Sequence, residues 1–537
     1  MTEAPDVVAD PGDALLPVAG RSRSIRLAGM GTAAVLCAIY LILQPSSTDF
    51  SSGDFRVRLF RNDVYLWNNL WFGGHSLPGY GVMSPLLGGI FGVTLVAVGS
   101  LLVGTWCVVL IFERCRSDDP LLPNPELAAA LFALSYAVNL FGGRLTFSPA
   151  VMFGAACVLF LQRDRRTLAI AAAALAGLCS PVGAVSLGVV LGGCFLAGKF
   201  SRAVVFAAGA ACVVPIGVII VFFPEGGWYP FDAGRLAFVA LSVLVVVWFG
   251  RDHGAVRWAG VLYLVAVLGA FVIKSPLGGN IARLAWLLAG PVGALVIRRY
   301  RKVVLPAFVA FTIVWSWAYV KMALQAKPAS AEAAYYDPLA DFVEGLPGVQ
   351  RMEVVPTPSY RQADELALRV GIARGWETQL DRELSPLFYD GRLTSEAYHR
   401  WLLDQSVNLV ALPLQGVHEK SVDEEALVRS EPDYLQLVWS NEHWKLYEVV
   451  GARPLAGNGA TLVDVQPESL TLDAPDTGWT EVKFRFTPLY EVVAGDACIK
   501  ESPDGWIDVL VRRPGTVQLE VSLTLDGMLG DEPVCTE

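Results

Sequence analysis

The sequence is short of the residues and motifs on which many soluble enzymes depend. Only 17% of its 537 residues are charged, and five are histidines. It contains no Gly-x-x-x-x-Gly-Lys-Ser/Thr loop for a nucleoside triphosphate, no dinucleotide-binding glycine fingerprint and no Cys-x-x-Cys or His-rich metal spacing. We therefore expect no cofactor, and a divalent cation is compatible with the sequence without being indicated. No basic, aromatic surface points to nucleic acid.

The spacing of the cysteines does not indicate a framework of disulfide bonds. Seven of the nine are single and lie mostly in apolar runs, which is typical of packing residues. Cys498 and Cys535 alone occupy the polar C-terminal part. They can form a disulfide if that part lies outside the cytoplasm, and the sequence leaves both states open.

Hydrophobic residues make up 54% of the chain, and the mean hydropathy of +0.47 indicates a membrane protein. Charge is divided unevenly. Residues 1–326 carry 15 acidic and 24 basic side chains, whereas residues 327–537 carry 36 and 17. The sequence therefore predicts a membrane domain followed by a solvated, acidic region.

About eleven apolar segments are candidates for membrane helices. They lie at 27–44, 84–112, 126–141, 146–161, 167–179, 182–198, 203–223, 234–249, 258–273, 283–297 and 303–320. Basic turns alternate with neutral ones along the apolar part of the chain. We therefore expect a plasma-membrane protein with its N-terminus in the cytoplasm and its C-terminal region outside it. The segments at 167–179 and 182–198 are each too short for a full span, which favours a broken or partly re-entrant pair.

We divide the chain into four parts. Residues 1–26 are predicted to be a disordered cytoplasmic tail, and residues 27–326 a transmembrane domain with an outer loop at 45–83. Residues 327–450 read as an α/β domain, and residues 451–537 alternate in short runs typical of a β-sandwich. In the α/β part, helices are expected near 338–344, 363–380 and 394–404, strands near 352–355 and 407–412, and a hairpin at 435–450.

The loop after the first apolar segment holds charges in a region otherwise almost free of them. Helical spacing places Asp54, Arg58, Arg61 and Tyr65 on one face, and Phe60, Val64, Trp67 and Trp71 on another. This pattern predicts an amphipathic helix at the outer interface, with its aromatic residues against lipid. The alternative is an interfacial anchor whose aspartate and arginines only neutralise each other.

Acids are scarce on the predicted outer side of the membrane domain. They are Asp49, Asp54, Asp63, Glu225 and Asp232. A general base must be an ionisable group within hydrogen-bond reach of its proton, so an outer base from this domain comes from that list. Three of the five lie in the first loop.

Several other residues are candidates for substrate binding, each with a structural alternative. Arg56 and Arg58 suit a phosphate, which guanidinium binds by paired hydrogen bonds. Arg144 and Arg283 either meet a lipid-linked phosphate or extend to the membrane interface as anchors. His75 either contacts substrate or bonds within the loop.

Glu225 lies close to Trp228 and Tyr229, a composition that suits either a sugar ring or an interfacial aromatic belt. The same alternatives apply to Asp232 on the other side of the two aromatic residues.

Parts of the chain resemble a known family. The order DF-R-R-LF, LWNNLWFGGH and PGYGVMSPLLGGIFG, with GGRLTF at 142–147, SPLGGNIARL at 275–284 and ARGWETQLDRELSPLFYDGRLTSEAYHRWL at 373–402, resembles actinobacterial polytopic proteins that look like GT-C type glycosyltransferases. That resemblance implies a polyprenyl-phosphate-linked sugar as donor and an acidic catalytic base in the first outer loop. Asp54 and, one turn earlier, Asp49 occupy the matching place, and spacing and the resemblance together favour Asp54. The paired acidic motif of some GT-C branches is not evident here.

The resemblance implies transfer of a sugar to an envelope glycan or lipid acceptor on the outer face of the bilayer. A transporter or lipid flippase is the main alternative. The predicted spans contain almost no ionisable residues, which favours an enzyme acting at the interface over a coupled transporter. A non-catalytic membrane protein of envelope assembly is the third hypothesis.

Overall fold

The protein was analysed as a computed structural model that describes residues 18–224, 226–324, 327–524 and 535. The predicted disordered tail lies mostly outside the described residues, and so does the candidate residue Glu225.

Thirteen α-helices precede residue 327 in the described part of the chain. They are α1 (Val18–Leu43), α2 (Thr48–Arg61), α3 (Met83–Phe91), α4 (Val93–Asp118), α5 (Pro125–Phe141), α6 (Phe147–Gln162), α7 (Arg166–Cys179), α8 (Pro181–Leu196), α9 (Arg202–Phe222), α10 (Ala233–Phe249), α11 (Gly254–Val272), α12 (Arg283–Val296) and α13 (Arg301–Leu324). A helix occupies each of the eleven predicted segments. Five stretches of described residues are helical, long and apolar enough to cross a membrane, and several shorter apolar helices accompany them.

Two segments differ in detail from the prediction. The expected span at 84–112 is divided into α3 and α4 at Gly92, whose φ of 84° only glycine adopts readily. Helices α7 and α8 are separate and meet at Ser180, whose side chain caps the start of α8. With 14 residues, α7 is about 21 Å long at 1.5 Å per residue, which is shorter than a full span.

The turns of the helical domain gather at two ends. Basic turns meet at what we call the lower end, where Arg26 pairs with Glu113 at 2.6 Å and Arg298 pairs with Asp119. The opposite, upper end comprises residues 44–92, 142–148, 226–232 and 274–283. The alternation of basic and neutral turns in the sequence therefore corresponds to the two ends of the helical domain.

Residues 337–449 form a mixed five-stranded sheet with helices. The strand order is β4-β3-β5-β7-β6, with β3 parallel to both β4 and β5. The strands are β3 (Arg351–Val354), β4 (Gly371–Ile372), β5 (Leu409–Pro413), β6 (Leu435–Ser440) and β7 (Trp444–Val449), and the helices are α14 (Asp337–Glu344), α15 (Thr378–Leu384), α16 (Ser395–Asp404) and α17 (Val422–Arg429).

The expected helix at 363–380 is wrong. This stretch holds one π-helical turn, strand β4 and the start of α15. Gly375 lies against the ring of Trp71, where a Cβ atom would be 2.4 Å from the ring. Tertiary packing on the first loop thus replaces a continuous helix.

Residues 461–521 form two antiparallel sheets with strand orders β10-β13-β12 and β11-β14-β9-β8. Their strands are β8 (Thr461–Gln466), β9 (Ser469–Ala474), β10 (Gly478–Arg485), β11 (Tyr490–Ala494), β12 (Ala497–Glu501), β13 (Trp506–Val511) and β14 (Gly515–Val521). Side chains from both sheets share one apolar core. Cys498 and Cys535 form a disulfide, and their Cα atoms are 5.7 Å apart.

The first loop packs into the C-terminal region instead of lying on lipid. It contains the short paired strands β1 (Trp67–Asn68) and β2 (His75–Ser76). Trp71 is fully buried, stacks on Phe55 at 4.3 Å and donates its indole N–H to the carbonyl of Ala363. Placing Trp67 and Trp71 against lipid was therefore wrong, because their partners come from residues hundreds of positions later.

Candidate active site

Helix α2 carries its polar side chains on two faces. Residues seven apart complete nearly two turns, so Asp49 and Arg56 share one face and Asp54 and Arg61 share another. The predicted helix is confirmed, but it ends at Arg61, and Tyr65 lies beyond it.

The Asp54 face is engaged by the C-terminal region. Arg58 lies 3.0 Å from the Asp54 carboxylate and donates two hydrogen bonds of 2.9 Å to the two oxygens of Glu365. Arg361 also pairs with Glu365 and lies 3.3 Å from the buried Asp364. Burial raises the pKa of the Asp364 carboxyl well above its usual range. Asp54 and Arg58 thus belong to an ion-pair network that joins α2 to residues 361–365, and this geometry does not favour a phosphate on Arg58.

Arg56 is buried and pairs with the buried carboxylate of Glu377. Its guanidinium also donates to the Ser52 hydroxyl at 2.6 Å and lies 4.3 Å from the ring of Tyr80. Guanidinium groups bind carboxylates and stack on aromatic faces in this way. Arg56 therefore links α2 to the C-terminal region, and the arrangement supports a positioning role more than direct phosphate binding.

Asp49 faces a different set of groups. Its carboxylate lies 3.8 Å from the Arg144 guanidinium, and its side chain is 38% exposed while Arg144 is buried. Arg144 also donates to Asn139 at 2.9 Å. Arg283 donates to Asn280 at 2.8 Å, lies 5.7 Å from the ring of Phe147 and is within electrostatic range of both Asp49 and Arg144. Of the predicted site residues, these three are brought together, although they come from three distant segments of the chain.

Residues from two loops and from the C-terminal region lie around Asp49, Arg144 and Arg283. Arg283 also interacts electrostatically with Tyr80 and Tyr229. Lys420, which the sequence did not single out, is an exposed lysine in electrostatic range of Asp49. Lys420 is distant from Asp49 in sequence, and no local motif marks it.

An apolar cavity of about 220 Å³ lies between α8, α10, α11 and α12. Its lining begins at Leu284, the residue after Arg283, and continues along α12 through Leu288 and Val292. The Tyr263 hydroxyl, which donates to the carbonyl of Ile281 at 2.6 Å, fixes the cavity wall near that end. The lining of the cavity thus starts one residue beyond Arg283 and extends between the helices to Ala255, near the start of α11.

His75 is held inside the loop. Its ring is buried, stacks on Trp71 at 5.5 Å and has its nitrogens 3.0 Å from Asn68 Nδ2 and 3.1 Å from the carbonyl of Ser76. Burial, helped by the charge of Arg56, lowers the pKa of His75 to about 3. The geometry favours structural bonding over contact with substrate.

The loop after α9 bridges the two parts of the molecule. Trp228 donates its backbone N–H to the carbonyl of Gln379 on α15, and its ring lies 5.1 Å from both Lys274 and Arg382. Asp232 caps α10 by accepting from the Arg235 backbone N–H at 2.8 Å. These contacts hold the upper end of the helices against the C-terminal region.

No group of three or more His, Cys, Asp or Glu side chains suited to a metal ion occurs among the described residues.

No protein-family model matches the sequence. No curated protein matches it either. Among solved structures, the chain is similar to the crystal structure of ArnT from Cupriavidus metallidurans in the apo state, with 11% identity and a TM-score of 0.44 over 78% of this chain and 97% of that one. It is also similar to ArnT from Cupriavidus metallidurans bound to undecaprenyl phosphate, with 12% identity and a TM-score of 0.38 over 78% and 98% of the two chains.

Proposed function

We propose that the protein is a membrane glycosyltransferase that moves a sugar from a polyprenyl-phosphate donor to an envelope glycan or lipid acceptor on the outer face of the bilayer. The observation that carries this proposal is the group Asp49, Arg144 and Arg283, together with an apolar cavity whose lining begins at Leu284, the residue after Arg283. A lipid phosphate matches both features, because its hydrocarbon chain binds in an apolar cavity and its phosphate group binds to cationic side chains.

In the proposed reaction, Asp49 accepts the proton of an acceptor hydroxyl while that oxygen bonds to the anomeric carbon of the sugar. The bond from the anomeric carbon to the phosphate oxygen breaks, and polyprenyl phosphate leaves with the electron pair. Arg144 and Arg283 stabilise the charge that develops on the leaving phosphate. Attack opposite the leaving group inverts the anomeric configuration.

The geometry favours Asp49 over Asp54 as the base. The Asp49 carboxylate is partly exposed beside Arg144, whereas Asp54 is tied to Arg58 in the network with Glu365. The acceptor hydroxyl must be able to reach the base, and the cations that stabilise the leaving phosphate must lie near it. Both conditions are met at Asp49.

The disulfide between Cys498 and Cys535 supports an extracytoplasmic position for the C-terminal region, because such bonds persist in oxidising compartments. The proposed site would then lie on the same side, where the C-terminal region packs on the upper end of the helices.

The test is sugar transfer by the full-length protein in membranes, using a panel of polyprenyl-phosphate sugars and comparing Asp49→Asn with Asp54→Asn. We expect Asp49→Asn to lower kcat by about 10²- to 10⁴-fold, the usual effect of a lost general base. Asp54→Asn, which keeps the shape and weakens only one ion pair, should retain most of the activity. Equal loss in both variants would contradict the assignment of Asp49, and no transfer from any donor would favour a flippase or an assembly protein.

A further inference from the structure

Four charged side chains lie buried together in the C-terminal region. Arg374 follows strand β4, Glu353 lies on β3, Asp381 on α15 and Glu424 on α17. Each of these side chains is at most 8% exposed. We call the four residues the Arg374 cluster. Three of its members are acids and one is a base, so its single cation cannot balance three ionised carboxylates.

The Arg374 guanidinium holds two carboxylates on one nitrogen. Its Nη2 atom donates to Glu353 at 2.5 Å and to Glu424 at 2.6 Å, and its Nε atom also donates to Glu353 at 2.9 Å. Asp381 lies 3.9 Å from Nη1. The ring of Phe388 covers the guanidinium at 3.5 Å. Because Glu353 and Glu424 share one donor atom, their carboxyl groups must lie close to each other.

The hydrogen bonds of the cluster leave some carboxylate oxygens without a donor. Tyr398 donates to Glu424 at 3.3 Å, and Tyr389 donates to Asp381 at 2.5 Å. Among the described residues, Glu353 Oε2 and Asp381 Oδ1 are buried and accept no hydrogen bond. A buried charge without compensation is costly, and taking up a proton removes that cost.

Glu353 and Glu424 can use such a proton jointly. Their side chains lie within hydrogen-bond reach of each other, and a hydrogen bond between two carboxyl groups requires a proton on one of them. Burial, together with the charge of Glu424 and against that of Arg374, raises the pKa of Glu353 well above its ordinary value. The other ionisable groups around the cluster are Tyr360, Tyr389, Tyr398, Arg382, Lys420 and Asp423.

A small cavity connects the cluster with solvent. Its volume is about 40 Å³, and its lining includes Arg374 and Glu424 together with the exposed residues Lys420 and Asp423. A water molecule needs about 10 to 15 Å³ of such space, so the cavity has room for water. A proton can therefore exchange between the cluster and solvent without global unfolding.

The segment 374–381 begins and ends with members of the Arg374 cluster. Between these ends, the carboxylate of Glu377 pairs with Arg56 of α2. The carbonyl of Gln379 accepts a hydrogen bond from the Trp228 backbone N–H at 3.1 Å. The segment that the cluster holds at both ends thus makes two of the connections to the helical domain.

We propose that Glu353 and Glu424 share one proton at neutral pH and that release of this proton, which rising pH favours, loosens residues 374–381 and their two connections to the helical domain. Two ionised glutamates on one guanidinium nitrogen repel each other strongly in a buried environment of low dielectric constant. Loosening of the segment is transmitted to α2, which carries Asp49. The Arg374 cluster is thus a pH-sensitive junction between the two parts of the molecule.

The first test detects the proton by difference infrared spectroscopy of the full-length protein in nanodiscs. A protonated carboxyl group has a C=O band that is separate from the carboxylate bands. At neutral pH we expect wild type to show such a band, Glu353→Gln to lack it, and Glu448→Gln to retain it. Glu448 is the matched control, because it is an exposed glutamate on β7 of the same sheet. A band that is absent from wild type, or unchanged in Glu353→Gln, would overturn the proposal.

The second test follows hydrogen exchange of residues 374–381 and of the loop containing Trp228 between about pH 5 and 9, corrected for the intrinsic pH dependence of exchange. The opened segment has the ordinary glutamate pKa of 4.5, whereas the closed state keeps the proton to higher pH. Opening therefore releases one proton, and the protection of wild type should fall about tenfold per pH unit over that range.

Glu353→Gln should remove this dependence, because its amide can donate to Glu424 and cannot lose a proton. Glu424→Gln is a second neutral variant with the same expected result, and thermal unfolding shows whether each variant is folded. Glu448→Gln should behave like wild type. The same pH dependence in wild type and in both neutral variants, or its loss in Glu448→Gln, would overturn the proposal. Neither measurement involves a substrate, so the result is independent of the proposed transfer reaction.

Discussion

Asp49 and Asp54 lie five residues apart on one helix and have different neighbours. Asp49 faces Arg144 from the loop after α5, whereas Asp54 is paired with Arg58 inside the network of Glu365. Five residues correspond to about 500° of rotation, so the two carboxylates point in directions about 140° apart. A difference of that size separates a carboxylate available to a substrate from one used to join two parts of the protein.

His75 supplies a prediction about pH. In the folded protein its pKa is lowered to about 3, whereas in the unfolded chain it is close to its ordinary value of 6.5. Below about pH 6.5 the unfolded state therefore binds a proton that the folded state does not bind. As a result, the free energy of unfolding decreases as the pH falls from about 6.5 towards 3. In that pH range we expect His75 alone to change the free energy of unfolding by about 1.4 kcal/mol per pH unit.

The measurement is the pH dependence of unfolding of the detergent-solubilised protein, followed by tryptophan fluorescence. His75→Gln should remove that part of the slope, and the same substitution at the half-buried His443 serves as the control. Identical slopes in wild type and His75→Gln would contradict the structural role of His75.

At the scale of elements, α2 is the connection between the helical domain and the C-terminal region. Its polar residues pair with Glu365 and Glu377, and Phe55 stacks on Trp71 beside the five-stranded sheet. The loop containing Trp228 makes a second connection through α15. Movement of the C-terminal region would therefore shift α2 and, with it, Asp49.

The buried pair of Arg56 and Glu377 provides a test of this connection. Removing one partner of a buried ion pair leaves an uncompensated charge and costs about 3 to 5 kcal/mol, whereas replacing both by apolar residues is often close to neutral. We expect Glu377→Leu to destabilise the protein more than the double variant Arg56→Leu/Glu377→Leu. Thermal unfolding of the single and double variants measures the coupling, and strictly additive effects would count against it.

At the scale of the whole molecule, the apolar cavity and the charged group together define the proposed donor site. A bulky side chain in the cavity should exclude a lipid chain and leave the charged group intact. We expect Leu288→Trp to raise KM for a long-chain polyprenyl donor by about tenfold or more, and to change KM little for a short-chain, water-soluble donor. Leu241→Trp is the matched control, because Leu241 is exposed on α10 and is not among the cavity lining.

The disulfide gives a prediction about the C-terminal sheets. Cys498 and Cys535 are 37 residues apart, and closing a loop of that length in the unfolded chain stabilises the fold by about 4 kcal/mol in the chain-entropy model. We expect the paired substitution Cys498→Ser/Cys535→Ser to lower the unfolding temperature. Mass spectrometry of unreduced protein should find this bond when the protein comes from its native membrane. Two free thiols would contradict both the bond and the extracytoplasmic position.

Local sequence patterns were sufficient to predict the helical segments, the helix α2 and, in the α/β part, strands β3, β5, β6 and β7. Hydrophobic runs and short alternations are local patterns, and each is satisfied by a local structure whatever lies next to it. The alternation of basic and neutral turns is also a local pattern, and it was sufficient to predict that the basic turns lie at one end of the helices. Where packing overrode the local pattern, as at Gly375 against Trp71, the prediction failed.

Which acid lies beside the arginines depends on the packing of the helices, and no local pattern of the sequence specifies it. Asp49, Arg144 and Arg283 are distant in sequence and are brought together by helix packing, whereas spacing and the resemblance had favoured Asp54. The burial of Trp71 and His75 was decided in the same way, because their partners belong to the C-terminal region or to the loop as folded on it. Periodicity specifies which side chains share a face, but the partner of that face is set by contacts formed hundreds of residues away.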